Sequence, residues 1–225
     1  MTGRRAWLSI FDLDRTLSKR PTYSLFLLFA ARRVAPWRLL LIPALAPRLV
    51  GYKLGRATRG SMKEAMHALA LGRSLDRAIA ERVATDFAEQ LTENGVYPEG
   101  RELLERELSA GQRVILATAA PALYAVPFAR RLGIADVVST RPVWSGDRLT
   151  HSIDGENCYG HAKLAMIEAY LRSAQIDRRE TRVRFYSDHA SDLPTFEWAD
   201  DPVAVNPSAR LRKIARDRGW RVLDW

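Results

Sequence analysis

The stretch Phe11-Asp12-Leu13-Asp14-Arg15-Thr16 sets two carboxylates two residues apart, directly behind the apolar run Trp7 to Phe11. That run is short and β-prone, and it reads as a buried strand. A strand of this kind releases Asp12 and Asp14 at its carboxyl end, where open α/β sheets keep their ligand crevice. An isolated carboxylate is far too costly to bury. The pair therefore calls for a metal, a basic partner or solvent. Three later positions carry similar chemical promise: Thr118 behind Arg113 to Ala117, Lys163 within Tyr159 to Arg172, and the pair Asp188 and Asp192 behind Arg182 to Tyr186. Each has a plain reading when taken singly. Thr118 can bond its own backbone at a strand end, Lys163 can be a solvated helix lysine, and Asp192 can cap the next helix.

These residues need a scaffold, and the hydrophobic pattern supplies one. Arg113 to Ala117, Asp136 to Ser139, Arg182 to Tyr186, Pro202 to Val205 and Arg221 to Leu223 read as strands. Glu99 to Leu108, Ala119 to Arg131, Tyr159 to Arg172 and Ser208 to Arg218 read as helices between them. Arg141 to Ser152, with Gly146-Asp147 at its centre, reads as a hairpin. The alternation predicts an α/β fold, a mostly parallel sheet whose active edge lies at the strand carboxyl ends. Between Thr22 and Gln90 no strand signal appears. Ser61 to Leu71, capped by Ser61 with Glu64 as box partner, and Leu75 to Leu91, capped by Ser74, read as helices. An all-helical insertion after the first strand is expected.

Inside that insertion, Tyr23 to Ala31 and Trp37 to Val50 are apolar runs broken by Arg32-Arg33 and by Pro36, Pro43 and Pro47. Neither reaches the roughly 18 uninterrupted apolar residues of a membrane span. The stretch 23–50 can be a buried helical pair, a dimer face, or an amphipathic element on a bilayer surface; core packing is the commoner outcome.

The chain has 225 residues, 47% of them hydrophobic and 27% charged, enough for one core with a smaller attachment. Its 35 Lys and Arg against 26 Asp and Glu give a net charge of +9, which favours anionic partners. No zinc-ligand spacing or nucleic-acid motif accompanies that charge, so nucleic acid is not expected. The lone cysteine, Cys158, rules out an internal disulfide and fits a reducing compartment. The apolar run before Asp12 spans about five residues, shorter than a secretory signal. A cytoplasmic protein is expected, with peripheral contact at the inner face of the membrane as the variant.

Taken together and in order, the motifs resemble the haloacid dehalogenase superfamily. Asp12-x-Asp14-x-Thr16 is similar to its first motif, Val114-Ile-Leu-Ala-Thr118 to its second, Cys158-Tyr-Gly-His-Ala-Lys163 to its third, and Asp188-x-x-x-Asp192 to its fourth. The helical insertion after the first motif looks like the branch containing phosphoserine phosphatase. The resemblance implies a Rossmann-like core, residues 1–18 and 96–225, with a cap at 19–95. It also implies a Mg²⁺-dependent phosphomonoester hydrolase working through an aspartyl-phosphate. In that reading Asp12 is the nucleophile and Asp14 the general acid and base. The metal is held by Asp12, the Asp14 backbone carbonyl and Asp188, with Asp192 at or just outside its shell. Oxygen ligands of this kind suit Mg²⁺ better than zinc. Thr16, Thr118, Ala119 and Lys163 bind the substrate's phosphate, helped by amides leading into the helix at Pro121.

Two departures bear on the substrate. Arg15 stands where the family commonly has glycine. About nine residues after the nucleophile, where phosphoserine phosphatases grip an amino group with glutamate, this chain has Arg20-Pro21-Thr22. Phosphoserine is therefore disfavoured. The arginine-punctuated apolar stretch and the third motif look like phosphatidylglycerophosphatase of the same superfamily, so a lipid phosphate stands beside a small phosphorylated substrate. A regulatory phosphate-binding protein without turnover is the remaining alternative.

Overall fold

The first strand, β1 (Ala6–Phe11), is buried on both faces, with Leu8 and Ile10 packing to one side and Phe11 to the other. Alternation of successive side chains across a strand dictates this split. The structure is a computed structural model that describes residues 6–225; residues 1–5, where the expected core segment 1–18 begins, lie outside the described residues. After β1 come α1 (Thr22–Val34), a 3₁₀ stretch (Pro36–Leu45), α2 (Ala46–Lys53), α3 (Arg59–Leu71), β2 (Ser74–Asp76) and α4 (Arg77–Asn94). There follow α5 (Pro98–Ser109), β3 (Arg113–Pro121), α6 (Ala122–Arg131), β4 (Asp136–Ser145), β5 (Arg148–Asp154) and α7 (His161–Ser173). The chain then runs through β6 (Thr181–Ser187), α8 (Leu193–Trp198), β7 (Asp201–Val205), α9 (Ala209–Arg218) and β8 (Arg221–Leu223).

The described strands make one sheet in the order β2-β5-β4-β3-β1-β6-β7-β8. From β4 to β8 the pairings are parallel, and β5 and β2 extend one edge in antiparallel fashion. On one face Phe11, Leu116 and Tyr186 pack against α1, α4, α5 and α6. On the other, Ile10, Ile115 and Phe185 pack against α7, α8 and α9. This is the α/β, mostly parallel sheet that the alternation predicts, with helices on both faces as in the Rossmann-like core that the resemblance implies. Register matters most for function. Phe11 lies opposite Leu116 on β3 and Tyr186 on β6. Asp12 and Asp188, just beyond β1 and β6, and Thr118, near the end of β3, therefore emerge along one edge.

The expected all-helical insertion needs correcting. Ser74-Leu75-Asp76 is a strand pairing antiparallel with Arg148 to Thr150, and Leu75 is buried with Leu149 and Ala80. Three residues are too few to show a period, and their partner lies over seventy residues away. The helix caps shift accordingly. Asp76, not Ser74, caps α4 by accepting from the amides of Ala78 and Ile79. Thr58, not Ser61, caps α3, accepting from Ser61 N at 3.1 Å. Glu64 is not its box partner and instead accepts from Ile153 N at 2.9 Å, joining α3 to β5. The short strand from Asp136 and the hairpin from Arg141 are continuous: β4 pairs with β3 through Thr140 and with β5 from Arg141.

The apolar stretch 23–50 divides in two. In α1, Phe26, Leu27, Ala30 and Ala31 are buried. Phe26 meets Phe87 of α4 at 5.4 Å and Tyr124 of α6 at 4.7 Å, so aromatic packing ties this helix to the sheet layer. From Pro36 to Lys53, by contrast, no residue is buried. Core packing, the expected outcome, holds only for the first half. Pro36, Pro43 and Pro47 deny the second half a continuous helix with one apolar face.

Candidate active site

At the carboxyl edge of the parallel strands lies a cavity of about 240 Å³, walled in part by Asp12, Asp14, Thr118, Ala119, Lys163, Asp188 and Asp192. Seven of the eight residues singled out from the sequence thus meet in one place. Thr16 does not. It is fully buried outside that wall, with a hydroxyl that has no hydrogen-bond partner. The reason is the loop behind β1, which wraps round one carbonyl: Leu13 O accepts from the amides of Thr16, Leu17 and Ser18. That turn carries Asp14 to the cavity and folds Thr16 beneath it. Arg15 takes the left-handed backbone angle φ +61° within the same turn, a conformation glycine enters more freely.

Lys163 sits in the first turns of α7 with 2% of its surface exposed. Its ammonium donates to Asp12 Oδ1 at 2.8 Å and to Asp192 Oδ2 at 2.6 Å. The same Asp192 oxygen accepts from Ser187 Oγ at 2.8 Å, while Oδ1 is buried without a partner. Asp192 therefore positions the lysine, and its side chain makes no cap bond to α8. Burial pulls the Lys163 ammonium down, but Asp12 and Asp192 outweigh this and hold it above the ordinary lysine range. Burial also pushes Asp12 up to about 7, against Lys163, with Asp192 and Asp14 adding to the rise. Asp188 is likewise raised to about 7 by burial and then by the carboxylates of Asp12 and Asp192.

Asp14 is held from the insertion side. Its Oδ1 accepts from Thr22 N at 2.8 Å and Thr22 Oγ1 at 2.7 Å, and Thr22 shares a further hydrogen bond with the Tyr124 hydroxyl. At the end of β3, Thr118 Oγ1 accepts from Ala120 N at 3.0 Å, which leaves its proton free to serve an anion. Of the residues whose amides lead into the helix at Pro121, Ala119 lines the cavity, while Ala120 N donates to Thr118 Oγ1. β3 runs on through a register shift to Pro121, α6 starts at Ala122, and its first turn does not line the cavity.

Several wall residues escaped the sequence reading. Arg59, which opens α3, lines the cavity and lies over the ring of Tyr159 at 4.2 Å. Arg15 and Pro21 line it as well. Lys63, also on α3, donates to Ala119 O and Asn157 Oδ1, and burial pulls its ammonium down to about 8. The sequence signal for Arg59 is the basic run Lys53-Leu-Gly-Arg-Ala-Thr-Arg59 before the helix, whereas Lys63 carries no signal of its own. Cys158 is fully buried with its thiol pushed up to about 12 by burial, a packed residue rather than a nucleophile.

The wall holds four carboxylates against three cations, Arg15, Arg59 and Lys163. An entering phosphate dianion would meet net negative charge, and Asp12 and Asp188, raised first by burial, are raised further by the neighbouring carboxylates. Among the described residues no three side chains of the metal-binding types form a ready cage. The Asp14 carboxylate is turned to Thr22 and one Asp192 oxygen to Lys163 and Ser187, while the second Asp192 oxygen is buried without a partner at the edge of the expected metal set. With Asp12 and Asp188 on the same wall, the donors are oxygen only and fit a hard cation retaining several waters, such as Mg²⁺.

The family model of the haloacid dehalogenase-like hydrolases matches residues 10–197. Phosphoserine phosphatase SerB1 of Mycobacterium tuberculosis is 32% identical over 151 residues, covering 66% of this chain and 48% of that protein. The chain thus spans about half the length of this curated relative. A solved structure from Bordetella pertussis Tohama I, a protein of unknown function, superimposes with a TM-score of 0.85 at 27% identity, covering 98% of this chain and 99% of that one. A phospho-aspartyl intermediate analogue of phosphoserine phosphatase gives 0.64 at 16% identity, covering 98% and 94%, and so shares the fold.

Proposed function

Because the chain belongs to the haloacid dehalogenase-like hydrolases, we propose that it is a Mg²⁺-dependent phosphomonoester hydrolase acting through an aspartyl-phosphate on Asp12. The observation that carries this reading is the buried Asp12–Lys163–Asp192–Ser187 network beside Asp14 and Thr118 in one cavity. Lys163 fixes one Asp12 oxygen, which orients the carboxylate for attack on phosphorus. As the new P–O bond forms, the bond to the leaving oxygen breaks and its electron pair stays on that oxygen. Asp14, steadied by Thr22, gives it a proton. Water then attacks the phosphoryl group, Asp14 takes the water's proton, and Asp12 is released as a carboxylate. Thr118 and Lys163 hold phosphoryl oxygens. A divalent cation held by Asp12, Asp188 and the Asp14 backbone carbonyl would supply the positive charge that lets two anions approach.

We read residues 1–18 and 96–225 as the catalytic core and 19–95 as a cap that chooses the substrate. Arg59 and Lys63, both from the insertion, support this by reaching the cavity wall and the Ala119 carbonyl. Pro21 on that wall, rather than a carboxylate, favours a small phosphate ester without an amino group at that point. A lipid phosphate is the second reading, favoured by the exposed leucines that precede α3.

Phosphate release from an aryl phosphate, measured with and without Mg²⁺, tests the assignment. Turnover is expected only with the metal; none under either condition overturns the enzyme reading in favour of a phosphate-binding protein. Asp14→Asn separates the acid role. Loss of roughly 10²–10⁴-fold is expected on an alkyl phosphate, with a smaller loss on the aryl ester, whose leaving group hardly needs a proton. Equal losses would remove Asp14 from that role.

A further inference from the structure

The chain's positive charge is concentrated in one place. Residues 15–63 hold eleven of its 35 Lys and Arg and none of its 26 Asp and Glu. The rest of the protein carries 24 basic against 26 acidic residues, a net charge of −2. Within this basic stretch lie most of the large exposed hydrophobic side chains among the described residues. Leu40 is 81% exposed, Leu54 63%, Trp37 59% and Val50 56%, with Leu41, Ile42 and Leu49 also on the surface. Arg48, Lys53 and Arg56 are exposed among them. A groove of about 670 Å³ between α1 and α4 repeats the pairing, with Phe29, Phe87 and Leu91 in its wall beside Lys19, Arg20 and Arg32.

We propose that the stretch 36–56 is a docking surface for an anionic phospholipid bilayer, with its leucines entering the acyl boundary and Arg48, Lys53 and Arg56 meeting the headgroups. Exposed aliphatic side chains among cations match the layering of a membrane interface, where apolar depth lies directly beneath negative charge. A second copy of the chain is a poorer occupant, because a two-fold contact would press like charges together. Nucleic acid would satisfy the cations and leave the leucines in water. The contact is peripheral, since no helix among the described residues is long and apolar enough to cross a membrane. Arg38 stands apart from the other cations: it donates to the carbonyls of Ala68 and Leu69 and so braces the stretch against α3. The docking element runs directly into Thr58, the cap of α3, and then Arg59 on the cavity wall. The inference is independent of the hydrolytic reading.

Vesicle flotation of the whole protein provides the test, with phosphatidylcholine alone and with phosphatidylglycerol added, at low and high salt. Wild type is expected to float with the anionic vesicles at low salt, to lose most of that binding at high salt, and to ignore neutral ones. Arg48→Gln, Lys53→Gln and Arg56→Gln combined should weaken binding at least about tenfold, as should Leu40→Ser with Ile42→Ser. Both variants should keep the wild-type rate on a soluble aryl phosphate and the wild-type melting temperature. Absence of flotation at low salt, or flotation indifferent to both variants, overturns the proposal. So does a dimer in sedimentation velocity that Leu40→Ser with Ile42→Ser converts to monomer while no vesicle is bound. An inactive protein that still floats would discard the hydrolase and keep the surface.

Discussion

The cluster around Lys163 and the stretch Pro36–Leu54 invert the usual placement of residues. In the first, one ammonium and two carboxylates are more than nine-tenths buried; in the second, Leu40 is 81% exposed. Burial of the charges is tolerable because each finds a partner within 2.8 Å, so the ions are desolvated as a set rather than singly. Exposure of the leucines follows from the opposite condition. Three prolines break the stretch into short pieces, and only Leu39 packs against the core while its neighbours stay at the surface. What decides the placement of a side chain in both regions is the partner it meets, not its polarity.

The hardest way to break this comparison is to remove the nucleophile. Asp12→Asn should lower turnover at least roughly a thousandfold, about 4 kcal/mol on the barrier. Its melting temperature should hold or rise above pH 7, because the amide ends a costly buried carboxylate. Activity within tenfold of wild type would remove Asp12 as the nucleophile.

Lys163→Met strands two buried carboxylates and should cost about 3–5 kcal/mol in denaturant unfolding as well as activity. Adding Asp192→Asn should restore much of the stability and none of the turnover. If the double variant is no more stable than the single one, the charges do not act as a set.

Acidity sharpens the contrast further. Asp12 and Asp188 titrate near 7 in the fold against 3.8 for an ordinary aspartate. Folded protein therefore holds their protons more tightly than unfolded chain. Stability without metal should fall as pH rises from about 4 to 7 and then level off. A divalent cation competes with those protons, so the rise in melting temperature on adding Mg²⁺ should be larger at pH 8 than at pH 5. A shift of equal size at both would place the metal elsewhere.

The smallest effect belongs to the exposed stretch. Leu40→Ser should leave unfolding within about 0.5 kcal/mol of wild type, whereas Phe26→Ala, in the other half of the same apolar run, should cost about 3–5 kcal/mol. Comparable losses would mean that Leu40 packs against something in the folded chain.

Local information in the sequence was sufficient for much of this protein. A strand ending in Asp12, strands ending at Thr118 and Asp188, and their alternation with helices follow from periodicity and composition within windows of a few residues. Once the strands pair in parallel, their carboxyl ends must share an edge, so the cavity follows from the pattern. Arg59, Lys63 and Thr22 reach the site only because α1 and α3 fold back over it, and no local window encodes that approach. Thr16 was lost for the same reason: the turn around the Leu13 carbonyl decides which side chain faces the cavity. β2 has three residues and exists because β5 offers it hydrogen bonds from far along the chain. The two halves of 23–50 look alike in hydrophobicity and part company only where Phe26 finds Phe87 and Tyr124 while Leu40 finds nothing. Periodicity is a property of neighbours in sequence, and burial is a property of neighbours in space.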